Sequence, residues 1–202
     1  MKKLTLVAAF VAMAGLASAA ILIPDGDFEQ ADHVPYWTFA SAGPGLTYNT
    51  SGGNGGGYAS IDATAGEWAV LVAPPEPGNA GGGIPISYFG GAVVAGSTST
   101  FTIDLKTLSG TAAGGMKVEA WAGNALLGFE PDNLAPSASA TWQTHTFDWL
   151  VPAGTEKLIF VPVWGANSDI GYDNVGVVPE PATFGLLGLA GAALFVVRRF
   201  RG

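Results

Sequence analysis

The chain has 202 residues, of which 30 are glycine, 13 are proline and none is cysteine, and only 12% are charged. That composition excludes coiled coils and charged helical bundles, and the lack of cysteine excludes disulfides, thiolate catalysis and Cys-ligated zinc. Between Lys3 and Arg198, three basic residues (Lys106, Lys117 and Lys157) stand against sixteen acidic ones, a formal charge of −13. Such a surface repels nucleic acid and anionic lipid headgroups, and it suits neutral sugars, cations or basic partners.

The chain opens with Met1-Lys2-Lys3, an apolar run from Leu4 to Leu16, and Ala17-Ser18-Ala19. A basic start, a short apolar stretch and a small-x-small site predict a signal-peptide helix over residues 1–19, with the mature chain starting at Ala20. The alternative, an uncleaved anchor helix, is opposed by the shortness of the apolar run.

Residues 20–178 show period-two patterning or short apolar runs separated by turn residues, and no sustained helical period. The predicted strands are, in order, Ile21–Ile23, Tyr36–Ala40, Tyr58–Asp62, Trp68–Val72, Phe101–Lys106, Met116–Trp121, Thr144–Val151, Leu158–Trp164 and Tyr172–Val178. Eight or nine short strands in one domain predict an all-β, two-sheet sandwich of jelly-roll type. Two glycine-rich stretches, Ser51–Gly57 and Gly78–Gly83, read as loops; neither is followed by the Lys-Ser/Thr and helix of a phosphate loop.

Residues 179–202 form a separate tail: Pro179-Glu180-Pro181, an apolar stretch from Ala182 to Val197, and Arg198-Arg199-Phe200-Arg201-Gly202. The prolines end the preceding strand and hold the chain extended. The apolar stretch predicts a hydrophobic helix of roughly 24 Å, slightly less than the ~30 Å of a hydrocarbon core. The arginines place the C-terminus on the cytoplasmic side.

These three parts in this order resemble the PEP-CTERM sorting signal of exported bacterial proteins. The resemblance implies recognition by an exosortase-type processing enzyme, with Pro179, Glu180, Pro181, Arg198 and Arg199 as sorting and processing residues. It implies a transient hold in the inner membrane, then a place at the cell surface or outside it, often with exopolysaccharide or biofilm matrix. A second resemblance spans the middle domain. Leu22-Ile23-Pro24-Asp25-Gly26-Asp27-Phe28-Glu29, Trp142, Val151-Pro152-Ala153-Gly154-Thr155 and Gly171-Tyr172-Asp173-Asn174-Val175 resemble the opening, later and closing strands of galactose-binding-like carbohydrate-binding modules. It implies a jelly roll and a structural calcium near its first and last strands.

Asp27, Glu29 and Asp173 are the candidate calcium ligands, because calcium takes six to eight oxygens from carboxylates and carbonyls. Asp173 is in phase with Val175 and Val177, which predicts an inward carboxylate in need of a cation or several donors. The alternative for each is a solvated or turn-capping acid. An EF-hand starting at Asp25 fails, with Gln30 where glycine is required and Tyr36 where glutamate is required. Trp121, on one strand face with Lys117 and Glu119, and Trp164, at a loop mouth, are the candidate sugar-stacking residues; edge packing is the competing role. Trp149 and His145 fall on an apolar face and predict core. The two histidines, His33 and His145, sit in no Gly-x-Ser-x-Gly or His-Glu-x-x-His context. The sequence therefore predicts a non-enzymatic exported domain. Its role is structural within the matrix or, alternatively, that of a carbohydrate-binding module.

Overall fold

The computed structural model describes residues 19–32, 36–41, 45–62, 69–72, 82–110, 114–134, 140–164 and 168–179. The predicted leader helix, the hydrophobic tail helix and the arginine cluster lie outside these residues, as do Glu180 and Pro181. No helix of the described residues is long and apolar enough to cross a membrane.

Among the described residues twelve strands follow in order: β1 (Ile21–Leu22), β2 (Thr38–Ser41), β3 (Gly45–Asn49), β4 (Tyr58–Asp62), β5 (Ala69–Val72), β6 (Ile84–Pro85), β7 (Thr98–Gly110), β8 (Gly114–Ala122), β9 (Ala125–Leu134), β10 (Gln143–Leu150), β11 (Lys157–Trp164) and β12 (Ser168–Val178). A single-turn 3-10 helix spans Ile86–Phe89. One sheet runs β10-β7-β12-β4-β3, with β1 added on β12; the second runs β6-β11-β8-β9; β2 and β5 pair separately. The pairings among the described residues are antiparallel throughout.

The core lies between the two sheets. Alternation turns Phe101, Ile103 and Leu105 of β7 and Tyr172, Val175 and Val177 of β12 to one side of it, and Met116, Val118 and Ala120 of β8 with Leu158 and Phe160 of β11 to the other. Phe101 meets Phe160 across the gap at 5.9 Å between ring centroids. β11 is apolar without alternation because both its faces are covered: Ile159 and Val161, both 4% exposed, form a second small cluster under Trp121.

The predicted strands all appear, with ends shifted by a few residues. β3, β6 and β9 were not foreseen. In its first half β9 exposes Leu126 (46%), Leu127 (39%) and Phe129 (51%), so that stretch lacks the alternation of a half-buried strand. One phase differs from expectation. Asp173 is not on the face of Val175 and Val177, because the register shifts between Asp173 and Gly176 and Asn174 takes a φ of 49°. This bulge puts Asp173 on the opposite face of β12, away from the core.

Candidate functional site

Two surfaces bring together chemically useful side chains. The first is on the outer face of the six-stranded sheet. Asp104 of β7 and Asp173 of β12 are directly opposite each other in the register, and both are almost fully buried, at 4% and 2% exposed. They are buried by the glycine-rich loop 51–57, which folds over them. The Asn54 N–H donates to Asp173 Oδ2 at 2.6 Å, and the Asn174 N–H donates to Asp173 Oδ1 at 2.8 Å. The Asn54 and Asn174 side-chain amides each donate to Asp104 Oδ2 at 2.8 Å. Glu29 reaches the same loop and accepts from the Gly57 N–H.

Close approach explains the glycines. A Cβ on Gly53 would fall on Gly57 O and lie 2.7 Å from Asp173 Oδ2, and one on Gly56 would fall on Glu29 Oε1 and lie 2.8 Å from Oε2. Trp142 holds the loop from the side, donating from Nε1 to Gly52 O at 2.8 Å, with Tyr58 edge-on at 5.3 Å and Lys106 Nζ 5.9 Å above its ring. Burial pushes the Asp173 carboxyl up to about 7, against the opposing pull of the Asn54 and Asn174 N–H bonds; the charges of Asp104 and Glu29 add to the rise.

The structure thus places Glu29 and Asp173 on one loop, together with Asp104, which sequence reasoning missed. It does not add Asp27, whose Oδ1 faces the Glu29 N–H at 3.4 Å in the turn. No group of three or more His, Cys, Asp or Glu side chains among the described residues is placed to hold a metal ion. The Asp173 and Glu29 carboxylates each accept a backbone N–H of loop 51–57, from Asn54 and Gly57 respectively.

The second surface is the outer face of the four-stranded sheet. Lys117, Glu119 and Trp121 alternate with the core-facing Met116, Val118 and Ala120. Glu119 holds both neighbours: Lys117 Nζ lies 2.7 Å from Oε1, and Trp121 Nε1 donates to Oε2 at 3.1 Å. Phe129, opposite Glu119 on β9, lies 5.8 Å below Lys117 Nζ. Trp121 is half-buried and packs over Ile159 and Val161.

Trp164 does not join it. Trp121 pairs with Lys157 and Trp164 with Gly114, at opposite ends of the β8–β11 ladder and roughly 23 Å apart at strand spacing. The Trp164 side chain lies outside the described residues. Among the other tryptophans, Trp37 is core, stacked on Phe28 at 5.0 Å and donating to Asp25 O at 3.0 Å. Trp149 and His145 are half-buried beside Phe101 and Phe147, at the margin of the core.

Residues 177–201 match the PEP-CTERM protein-sorting motif. The chain therefore carries the sorting signal of an exported, surface-directed protein and of an exosortase substrate. Pro179 is within the described residues, half-buried at the end of β12; Glu180, Pro181, Arg198 and Arg199 are not. No curated protein matches the chain in sequence. Solved structures do match in fold. The CBM22-1–GH10 modules of Clostridium thermocellum xylanase 10B, complexed with xylohexaose, align with a TM-score of 0.57 at 12% identity, over 81% of this chain and 29% of that one. The enzymatically active domain of bacteriophage CBA120 tailspike protein 4 aligns at 0.55 and 14% identity, over 77% of this chain and 21% of that one. A xylan-binding domain of carbohydrate-binding module family 22 aligns at 0.51 and 14% identity, over 82% and 97%. The shared feature is the two-sheet jelly-roll fold.

Proposed function

We propose that this is an exported, non-enzymatic glycan-binding sandwich, delivered by its C-terminal sorting motif, which takes a neutral polysaccharide on the outer face of β8, β9 and β11. The half-buried Trp121, fixed by Glu119 and backed by Ile159 and Val161, carries the reading. A sugar ring buries its C–H face on a flat, rigid aromatic surface, and a carboxylate and an ammonium already locked together at 2.7 Å can meet its hydroxyls without further ordering. The strongly acidic surface disfavours anionic polymers and leaves neutral chains as the ligand class. Xylan, bound by one structural neighbour, is the first probe.

A structural matrix role is the second reading. It is favoured by the exposed apolar residues of β9, Leu126, Leu127 and Phe129, which suit association with another matrix protein. In either case residues 1–19 are the export leader and residues 182–197 hold the chain in the inner membrane until processing. A structural calcium, held by Glu29, Asp173 and loop carbonyls, would neutralise the crowded carboxylates beneath loop 51–57. Affinity electrophoresis through neutral polysaccharides separates the two roles. Retardation by at least one of them supports glycan binding, and unchanged mobility in all of them leaves the matrix role.

A further inference from the structure

Seven asparagines occur in the chain, at 49, 54, 79, 124, 133, 167 and 174, and Asn54 alone is followed by glycine. That dipeptide has a chemistry of its own. The backbone nitrogen of the residue after an asparagine can attack the side-chain carboxamide carbon, and glycine, without a Cβ, puts the least bulk in its way. Here the dipeptide lies in loop 51–57, over the buried pair Asp104 and Asp173.

Both reacting groups are accessible. Asn54 and Gly55 are exposed. A Cβ built on Gly55 meets nothing within 4 Å, and among the described residues the Gly55 N–H has no hydrogen-bond partner. The nitrogen is therefore unengaged and has space to move. The carboxamide is held on one side, where Asn54 Nδ2 donates to Asp104 Oδ2 at 2.8 Å. The turn around the pair is tight, with the Gly53 N–H donating to Gly56 O at 2.8 Å.

We infer that Asn54-Gly55 is a site of spontaneous deamidation in the native domain, and that the product cannot re-form the contacts that hold loop 51–57 down. The Gly55 nitrogen gives its proton to solvent and bonds to Asn54 Cγ; the Cγ–Nδ2 bond breaks, and Nδ2 leaves as ammonia. Water then opens the cyclic imide at one of its two carbonyls, leaving an aspartyl or an isoaspartyl residue. Either product replaces a donor with a carboxylate. The bond to Asp104 Oδ2 becomes a contact between two anions, in a site that already holds Asp173 and Glu29. The isoaspartyl form also adds a methylene to the backbone of the turn. That turn is already crowded: a Cβ on Gly53 would fall on Gly57 O, and one on Gly56 on Glu29 Oε1. Because ammonia is lost to solvent the change is one-way, and the loop opens and stays open. The inference rests on the dipeptide and the loop geometry, not on the glycan reading.

The chemistry is tested on the full-length protein in micelles, held below its melting temperature in mildly alkaline buffer. Peptide mapping by mass is expected to find conversion at Asn54 at least about tenfold above that at any other asparagine. Conversion at Asn54 no greater than at Asn124, which is also exposed but precedes Ala125, overturns the assignment. The mapping needs no variant. The consequence is tested with Asn54→Asp, against Asn124→Asp as the control that adds the same charge on an exposed turn. Asn54→Asp is expected to lower Tm by roughly 3–12 °C relative to the control, the loss of one hydrogen bond to a charged group. It is also expected to speed amide exchange at Gly57, whose N–H donates to Glu29. Equal melting temperatures with equal Gly57 exchange in the two variants overturn the one-way opening.

Discussion

Gly53→Ala tests whether loop 51–57 is held by the carboxylates beneath it. The added methyl would fall on Gly57 O and lie 2.7 Å from Asp173 Oδ2, and neither neighbour is a free side-chain end. The loop must lift, which breaks the 2.6 Å bond from the Asn54 N–H to Asp173 and strains the Asn54 amide bond to Asp104. One hydrogen bond to a charged group contributes about 1.5–3 kcal/mol, so the loss is on that order. For a domain of this size it lowers Tm by roughly 3–12 °C. Gly45→Ala is the matched control, since its Cβ meets nothing within 4 Å, and its effect should stay within about 0.5 kcal/mol. Both are read by thermal unfolding under identical conditions. Equal melting temperatures for the two variants would refute the idea that the loop is clamped.

The remaining predictions concern charge, packing and the N-terminal strand. Asp173, pushed up to about 7, takes a proton in the folded state before the unfolded one does. In chelator, stability should therefore rise as pH falls from 8 toward 5, and Asp173→Asn should weaken that rise; a Tm independent of pH in both proteins would count against the buried charge. Calcium, if it binds there, should raise Tm more at pH 8 than at pH 5, and no calcium effect at either pH would remove the ion from the account. Phe160→Ala, which empties a fully buried position beside Phe89 and Phe101, should cost about 3–5 kcal/mol in a denaturant titration. Gly176→Ala would bring a Cβ 3.1 Å from Leu22 Cα and closer still to Ile21 O, so β1 should detach; faster amide exchange at Ile23, which donates to Val175 O, reports it, and unchanged exchange would contradict it.

Most of the sandwich was legible because its core strands alternate cleanly: Phe101, Ile103 and Leu105 on β7, and Met116, Val118 and Ala120 on β8, each read directly as one buried face. β9 was not legible, because an edge strand that exposes Leu126, Leu127 and Phe129 together shows no period of two there. The carboxylate cluster was half legible. Glu29 and Asp173 follow from the resemblance of the first and last strands, but Asp104 sits in β7 as the polar partner of an ordinary alternation, and only the register shows that it opposes Asp173. The phase of Asp173 was misread because one left-handed residue, Asn174, adds a bulge that pattern counting passes over. Loop 51–57 read as a plain glycine-rich linker. Its need for glycine arises from carboxylates distant in sequence, at 29 and 173, and no local signal records that. Trp121 was identified from its charged neighbours on the same strand face, and its bond to Glu119 follows from that spacing. The distance between Trp121 and Trp164 depends on how β8 pairs with β11, which neither strand specifies alone.

If glycan binding rests on the Trp121 face, the affinities of the native chain and of Trp121→Ala for a neutral polysaccharide, xylan first, must differ. Measurable binding by the native chain is expected, weakened at least about tenfold (about 1.4 kcal/mol) by the substitution, in a variant that is less stable, because Trp121 packs on Ile159 and Val161, but still cooperatively folded at the assay temperature. Binding that survives Trp121→Ala at full strength, or a native chain that binds no neutral polysaccharide, would contradict it.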